Sequence, residues 1–89
     1  MPAAVLPHAP HADIVVDWER DTDLFRIYAN IQTVKLIDGE SYKTDIVAIH
    51  LLDEALQPQA VINTAMFNED EWLDIEEAAF NEWERMQQG

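Results

Sequence analysis

Cysteine is absent from the 89 residues, so neither a disulfide framework nor a thiolate metal site supports so small a fold. Glycine occurs only at Gly39 and Gly89, which excludes a dinucleotide fingerprint and a P-loop, and with them the usual phosphate cradles. Basic residues are scarce: five stand against eighteen acids, for a formal net charge of -13. That balance opposes direct binding of nucleic acid or an anionic membrane and would attract a basic partner. Apolar runs reach only a few residues, too short to span a bilayer. Residues 1–12 lack the basic start and continuous apolar stretch of a secretory signal, so a cytoplasmic location is expected.

What is present suffices for one packed core. Hydrophobic residues make up 48% of the chain and include three Trp, three Phe and two Tyr. A single domain over residues 13–89 is expected, preceded by a flexible tail at 1–12, where Pro2, Pro7 and Pro10 favour extended, solvated backbone. From Asp13 the pattern becomes periodic. Ile14, Val16 and Trp18 share one parity, the signature of a half-buried strand over residues 13–19. The polar residues 19–23 read as a turn. Phe25, Ile27, Ala29 and Ile31 then alternate with Arg26, Tyr28 and Asn30 in a second strand. Val34 and Leu36 fall on the opposite parity, which suggests a bulge near Thr33.

Asp38-Gly39 is a hairpin signal that pairs the second strand with a third at residues 42–52. In this third segment Val47, Ile49 and Leu51 would share one side, and Ile46, Ala48 and Leu52 the other. Residues 44–56 also admit a helical reading, but Ile46, Val47 and Ile49 are β-branched and favour a strand. Residues 53–59 read as a connection, and Val61, Ile62 and Thr64 as a short fourth strand. The last segment has three helix-start signals. Asn68 can cap, Glu71 is its capping-box partner, and Phe67 and Trp72 occupy the hydrophobic-staple positions. Trp72, Ile75, Ala79, Trp83 and Met86 form one stripe of this helix, widened by Leu73 and Phe80. The expected fold is therefore α+β, an antiparallel sheet of three or four strands with one C-terminal amphipathic helix on one face, in the order βββ(β)α.

No pattern in the chain reads as catalytic machinery, and neither a cofactor nor a metal is expected. His8 and His11 sit in the tail without further fixed ligands. His50 lies within the apolar third strand and reads as a core histidine bonded to a backbone carbonyl. Asp17, Asp21 and Asp23 lack the glycine turn and the bidentate Glu of a calcium loop. Glu76 interrupts the apolar stripe. It must either swing to the edge or meet Arg26, Lys35, Lys43 or His50. Asp70, Asp74, Glu77 and Glu84 fall on the outer helix face and are the candidate partner-binding residues. The expected function is a non-enzymatic interaction module that docks on a basic protein surface, in one version by mimicking nucleic acid. The alternative is an assembly subunit that forms a homodimer through the second face of the third strand.

Overall fold

The computed structural model describes residues 10–88. Of the tail expected at 1–12, nine residues lie outside the described range. In order along the chain come β1 (Ile14–Arg20), β2 (Asp23–Leu36), β3 (Gly39–Leu52), β4 (Pro58–Val61), a 3-10 turn (Thr64–Met66) and α1 (Glu69–Gln88). The four strands form an antiparallel meander, β1-β2-β3-β4, so each strand pairs with its sequence neighbour. The helix packs on one face, giving the α+β order ββββα. The helical reading of residues 44–56 gives way to strand β3.

Pairing register decides which residues enter the core. Ile14 faces Ala29, Val16 faces Ile27 and Trp18 faces Phe25 across β1 and β2. On the other side of β2, Phe25 faces Leu51 and Ile27 faces Ile49. These residues share the helix side of the sheet with Ile75 and Ala79, and Phe67 closes the cluster from the loop before the helix. The register shifts between Tyr28 and Ala29, whose partners are Ala48 and Ile46. The irregularity expected near Thr33 is found at Tyr28-Ala29 instead, and on β3 it leaves Val47 as the extra residue. This bulge corrects the expected sidedness of β3: Ile46 joins Ile49 and Leu51 against the core, while Val47 is exposed.

No bulge is needed at Thr33 because Val34 and Leu36 are not core residues; both are exposed. Beyond residue 31 the β2–β3 hairpin runs past the other strands as a two-stranded arm. Fourteen-residue strands reach about 46 Å, which accounts for a molecule of 57 × 26 × 25 Å. Leu36 pairs with Gly39, so the hairpin tip is Ile37-Asp38 rather than Asp38-Gly39. Gly39, with a φ of 153°, is instead the first residue of β3. The fourth strand begins earlier than expected, at Pro58, and ends at Val61. Beyond it, the Ile62 N–H donates to the Ile49 carbonyl at 2.8 Å.

The two other reversals have local causes. Asp21 takes a φ of 54° in the β1–β2 turn, a conformation Asp tolerates better than most residues. In the β3–β4 connection the Asp53 carboxylate accepts from the N–H groups of Ala55 and Gln57, both at 2.9 Å, and holds Leu56 at a φ of 62°.

Candidate functional site

The helix start is built as its residues require. The Glu71 N–H donates to Asn68 Oδ1 at 2.8 Å, and the Asn68 N–H donates to Glu71 Oε1 at 3.0 Å, the reciprocal capping box. The second Glu71 oxygen accepts from Arg20 at 2.9 Å, tying the first turn to the end of β1. The Arg20 guanidinium also lies over Phe25 and Phe67, at 5.4 and 5.1 Å from the ring centroids. Beneath it Trp18, Phe25 and Phe67 stack with centroids 5.5 to 5.8 Å apart. The backbone bond from Asn68 and the Arg20 pairing together hold the Glu71 carboxyl below its usual range. At the other end Tyr42 of β3 meets Trp83 at 4.9 Å and Phe80 at 6.2 Å. Both ends of α1 are thus anchored, and its rotation about its own axis is set.

That rotation points the four candidate acids outward. Asp70, Asp74, Glu77 and Glu84 are all exposed. They fall within an arc of about 80°, roughly opposite buried Ile75 and Ala79, and span about 21 Å of helical rise. None of the four makes an ion pair among the described residues. The arginines are committed elsewhere: Arg20 to Glu71, Arg26 to Asp17 at 3.1 Å, and Arg85 to Glu82. Arg85 holds the Glu82 carboxyl below its usual range, and Glu82 holds Arg85 above its own. The two remaining basic residues, Lys35 and Lys43, lie on the hairpin arm. The outer face of α1 is therefore a stripe of uncompensated negative charge on a rigid support.

Two members of the expected apolar stripe do not pack: Leu73 and Met86 are exposed. Leu73 lies at the margin of the arc, beside the acids, and Met86 belongs to the last turn of the helix. Glu76 is half-buried and makes no ion pair among the described residues, so the structural pair with Arg26, Lys35, Lys43 or His50 is replaced by a position at the rim of the packed face.

Sequence reasoning expected His50 in the core but missed the buried layer to which it belongs. On the sheet face away from the helix, Tyr28, His50 and Leu52 are buried. The Tyr28 and His50 rings lie 4.8 Å apart. His50 Nδ1 has no hydrogen-bond partner, so the carbonyl bond expected for this ring is not found at that atom. Burial pushes the His50 pKa below its ordinary value, and the charge of Arg26 lowers it further. Asp17 is engaged by Arg26 on this same face, which removes it from any calcium constellation with Asp21 and Asp23. Among the described residues no three His, Asp or Glu side chains are grouped to hold a metal.

Two surface cavities stand out among the described residues. One of about 310 Å³ lies beside the helix start, between Thr64, Phe67, Asn68 and Trp72. The other, about 370 Å³, lies at the sheet end between Asp23, Leu24, Leu52, Asp53 and Leu56. The capping box occupies the N–H groups of Asn68 and Glu71, and the first-turn acids Glu69, Asp70 and Glu71 oppose an anion beside them. Among the described residues no helix is long and apolar enough to cross a membrane. In comparisons with protein-family models, curated proteins and solved structures, the chain matches none of them.

Proposed function

We propose that this protein is a non-enzymatic acidic docking module that acts in the cytoplasm and lays the outer face of α1 on a basic protein surface. The observation that carries the reading is the unpaired stripe of Asp70, Asp74, Glu77 and Glu84, on a helix whose neighbouring arginines are all engaged with other acids. A straight row of carboxylates about 21 Å long is preorganised, so charge complementarity costs little side-chain ordering on the partner's approach. The more specific version is nucleic-acid mimicry, in which the basic surface is one that otherwise binds phosphates.

A charge-matched pair of variants tests this. Asp70→Asn, Asp74→Asn, Glu77→Gln and Glu84→Gln remove four charges from the helix. Asp13→Asn, Glu19→Gln, Asp21→Asn and Asp23→Asn remove four exposed charges elsewhere. A protein retained from lysate by wild type at low salt is expected to elute by about 0.3 M salt, where the screening length is about 6 Å. It is expected to be kept by the second variant and lost by the first. Equal retention by both variants, or equal loss from both, refutes the assignment to this face. Under the mimic version, duplex DNA displaces the retained partner; failure to displace it discards that version alone.

A further inference from the structure

The hairpin arm differs in charge from the rest of the molecule. Residues 32–43 hold Lys35 and Lys43 against Asp38 and Glu40, a sum of zero, so the formal -13 lies entirely outside them. Two copies of this chain repel almost everywhere they meet except along the arm. The arm also carries open backbone edges. β4 pairs only with His50, Leu51 and Leu52, and Ile62 reaches Ile49, so among the described residues the outer edge of β3 from Gly39 to Ala48 has no partner strand. Such an edge is a template for another strand.

We infer that this edge pairs with the same edge of a second copy, antiparallel about a two-fold axis at Thr44, joining the two sheets into one of eight strands. The register follows from the side chains. With Thr44 opposite its own copy, Lys43 falls opposite Asp45 of the partner and Tyr42 opposite Ile46 of the partner, each twice by symmetry. Lys43 and Asp45 have no charged neighbour across the β2–β3 ladder, where they face Gln32 and Asn30. Neither makes an ion pair among the described residues, and in this register each faces an opposite charge directly across the axis. Tyr42, Thr44 and Ile46 lie on the helix side of β3, because they pair with Thr33, Ile31 and Ala29 of β2. The aromatic–aliphatic pairs therefore continue the helix-side layer across the axis, and Lys43 and Asp45 pair on the opposite face.

The reach also fits. Ile37 is seven residues from Thr44, about 23 Å at strand rise, and His50, which pairs with Val61, is six residues away, about 20 Å. The hairpin tip of one copy thus arrives at the end of β4 in the other. Those are the places where Ile37, 108% exposed, and Val61, 62% exposed, lack cover. This assembly is an edge-to-edge dimer, not a face-to-face one, and it leaves the acidic face of α1 open, so it is independent of the docking role.

Sedimentation equilibrium from about 5 to 500 µM, at low and moderate salt, tests the inference on wild type, Asp45→Lys, Lys43→Asp and the double exchange. Wild type is expected to dimerise, more tightly as salt screens the general repulsion. Asp45→Lys sets Lys opposite Lys twice and is expected to raise the dimer dissociation constant about tenfold or more. It does so although it makes the chain less negative, which separates a register effect from bulk electrostatics. Lys43→Asp is expected to weaken the dimer as well, and the double exchange to restore it, with circular dichroism confirming that each variant is folded. A wild type that is monomeric at 500 µM overturns the inference. So does a dimer that Asp45→Lys leaves intact, or one that the double exchange fails to rescue.

Discussion

Ile75 and Leu73 give the sharpest measure of how α1 is seated. They stand two positions apart on the same helix, about 160° apart around it, yet Ile75 is 0% exposed and Leu73 57% exposed. Ile75→Ala removes three carbons from the cluster formed by Ile14, Ile27, Ile49 and Ala79. At about 0.8 kcal/mol per carbon the transfer term is about 2.4 kcal/mol, and a partly relaxed cavity adds about 1 kcal/mol. A total near 3 kcal/mol is a large share of the roughly 4 to 13 kcal/mol expected for a domain of this size. It corresponds to a fall in Tm of about 15 °C. Leu73→Ala removes an exposed side chain and substitutes a better helix former, so its effect is expected to stay within about 0.5 kcal/mol. Thermal unfolding followed by tryptophan fluorescence and far-UV circular dichroism reads both. Equal Tm values for the two variants would refute the seating of the helix on Ile75, and a larger loss at Leu73 would mean that the helix presents its opposite face to the sheet.

Three further outcomes are expected. Asn68→Ala removes the cap of α1 and is expected to cost about 1 kcal/mol, seen as a fall in Tm of about 5 °C; an unchanged Tm would show that the capping box adds nothing in solution. His50 is held neutral by burial, so its folded pKa lies below the unfolded value near 6.5. The unfolded chain then binds the extra proton, and stability falls as pH drops through 6.5. The carboxylates of Glu71 and Glu82 have depressed values, so their contribution is lost only further down, below about 4.5. Urea midpoints are therefore expected to decline between pH 7 and 5.5 in wild type and to stay flat in His50→Leu, which also removes the unpartnered Nδ1; a parallel decline in both would assign the effect to another group. Finally, the chain is expected not to shift ordinary duplex DNA in a mobility assay, even at low salt, because its charge opposes the phosphate backbone. A shift at submicromolar protein would contradict both this electrostatic argument and the docking proposal.

The elements that local chemistry specifies were legible in the residues themselves. Period-2 alternation marked β1 and the core half of β2, because a strand with one buried face must alternate. Asn68, Glu71 and the apolar stripe marked α1, because a capping box and a 3.6-residue period leave few alternatives. The outward position of Asp70, Asp74, Glu77 and Glu84 followed from the same period, which places them opposite Ile75 and Ala79. What the tertiary structure alone decided was pairing across distance. The bulge at Tyr28 and Ala29 turns Ile46 to the core and Val47 to solvent, and no property of residues 46–48 taken singly announces it, since register is a joint property of two strands. The protruding arm was hidden for the same reason. Val34 and Leu36 look like core residues until the β2 register, unshifted after Ala29, turns them to the sheet face away from the helix. The burial of Tyr28 and His50 on the far face, and the capture of Arg20, Arg26 and Arg85 by particular acids, likewise depend on which chain segments meet in space. Composition determined that this protein would be acidic, and the fold determined where that charge is left uncompensated, because only a packed structure chooses which carboxylates receive an arginine.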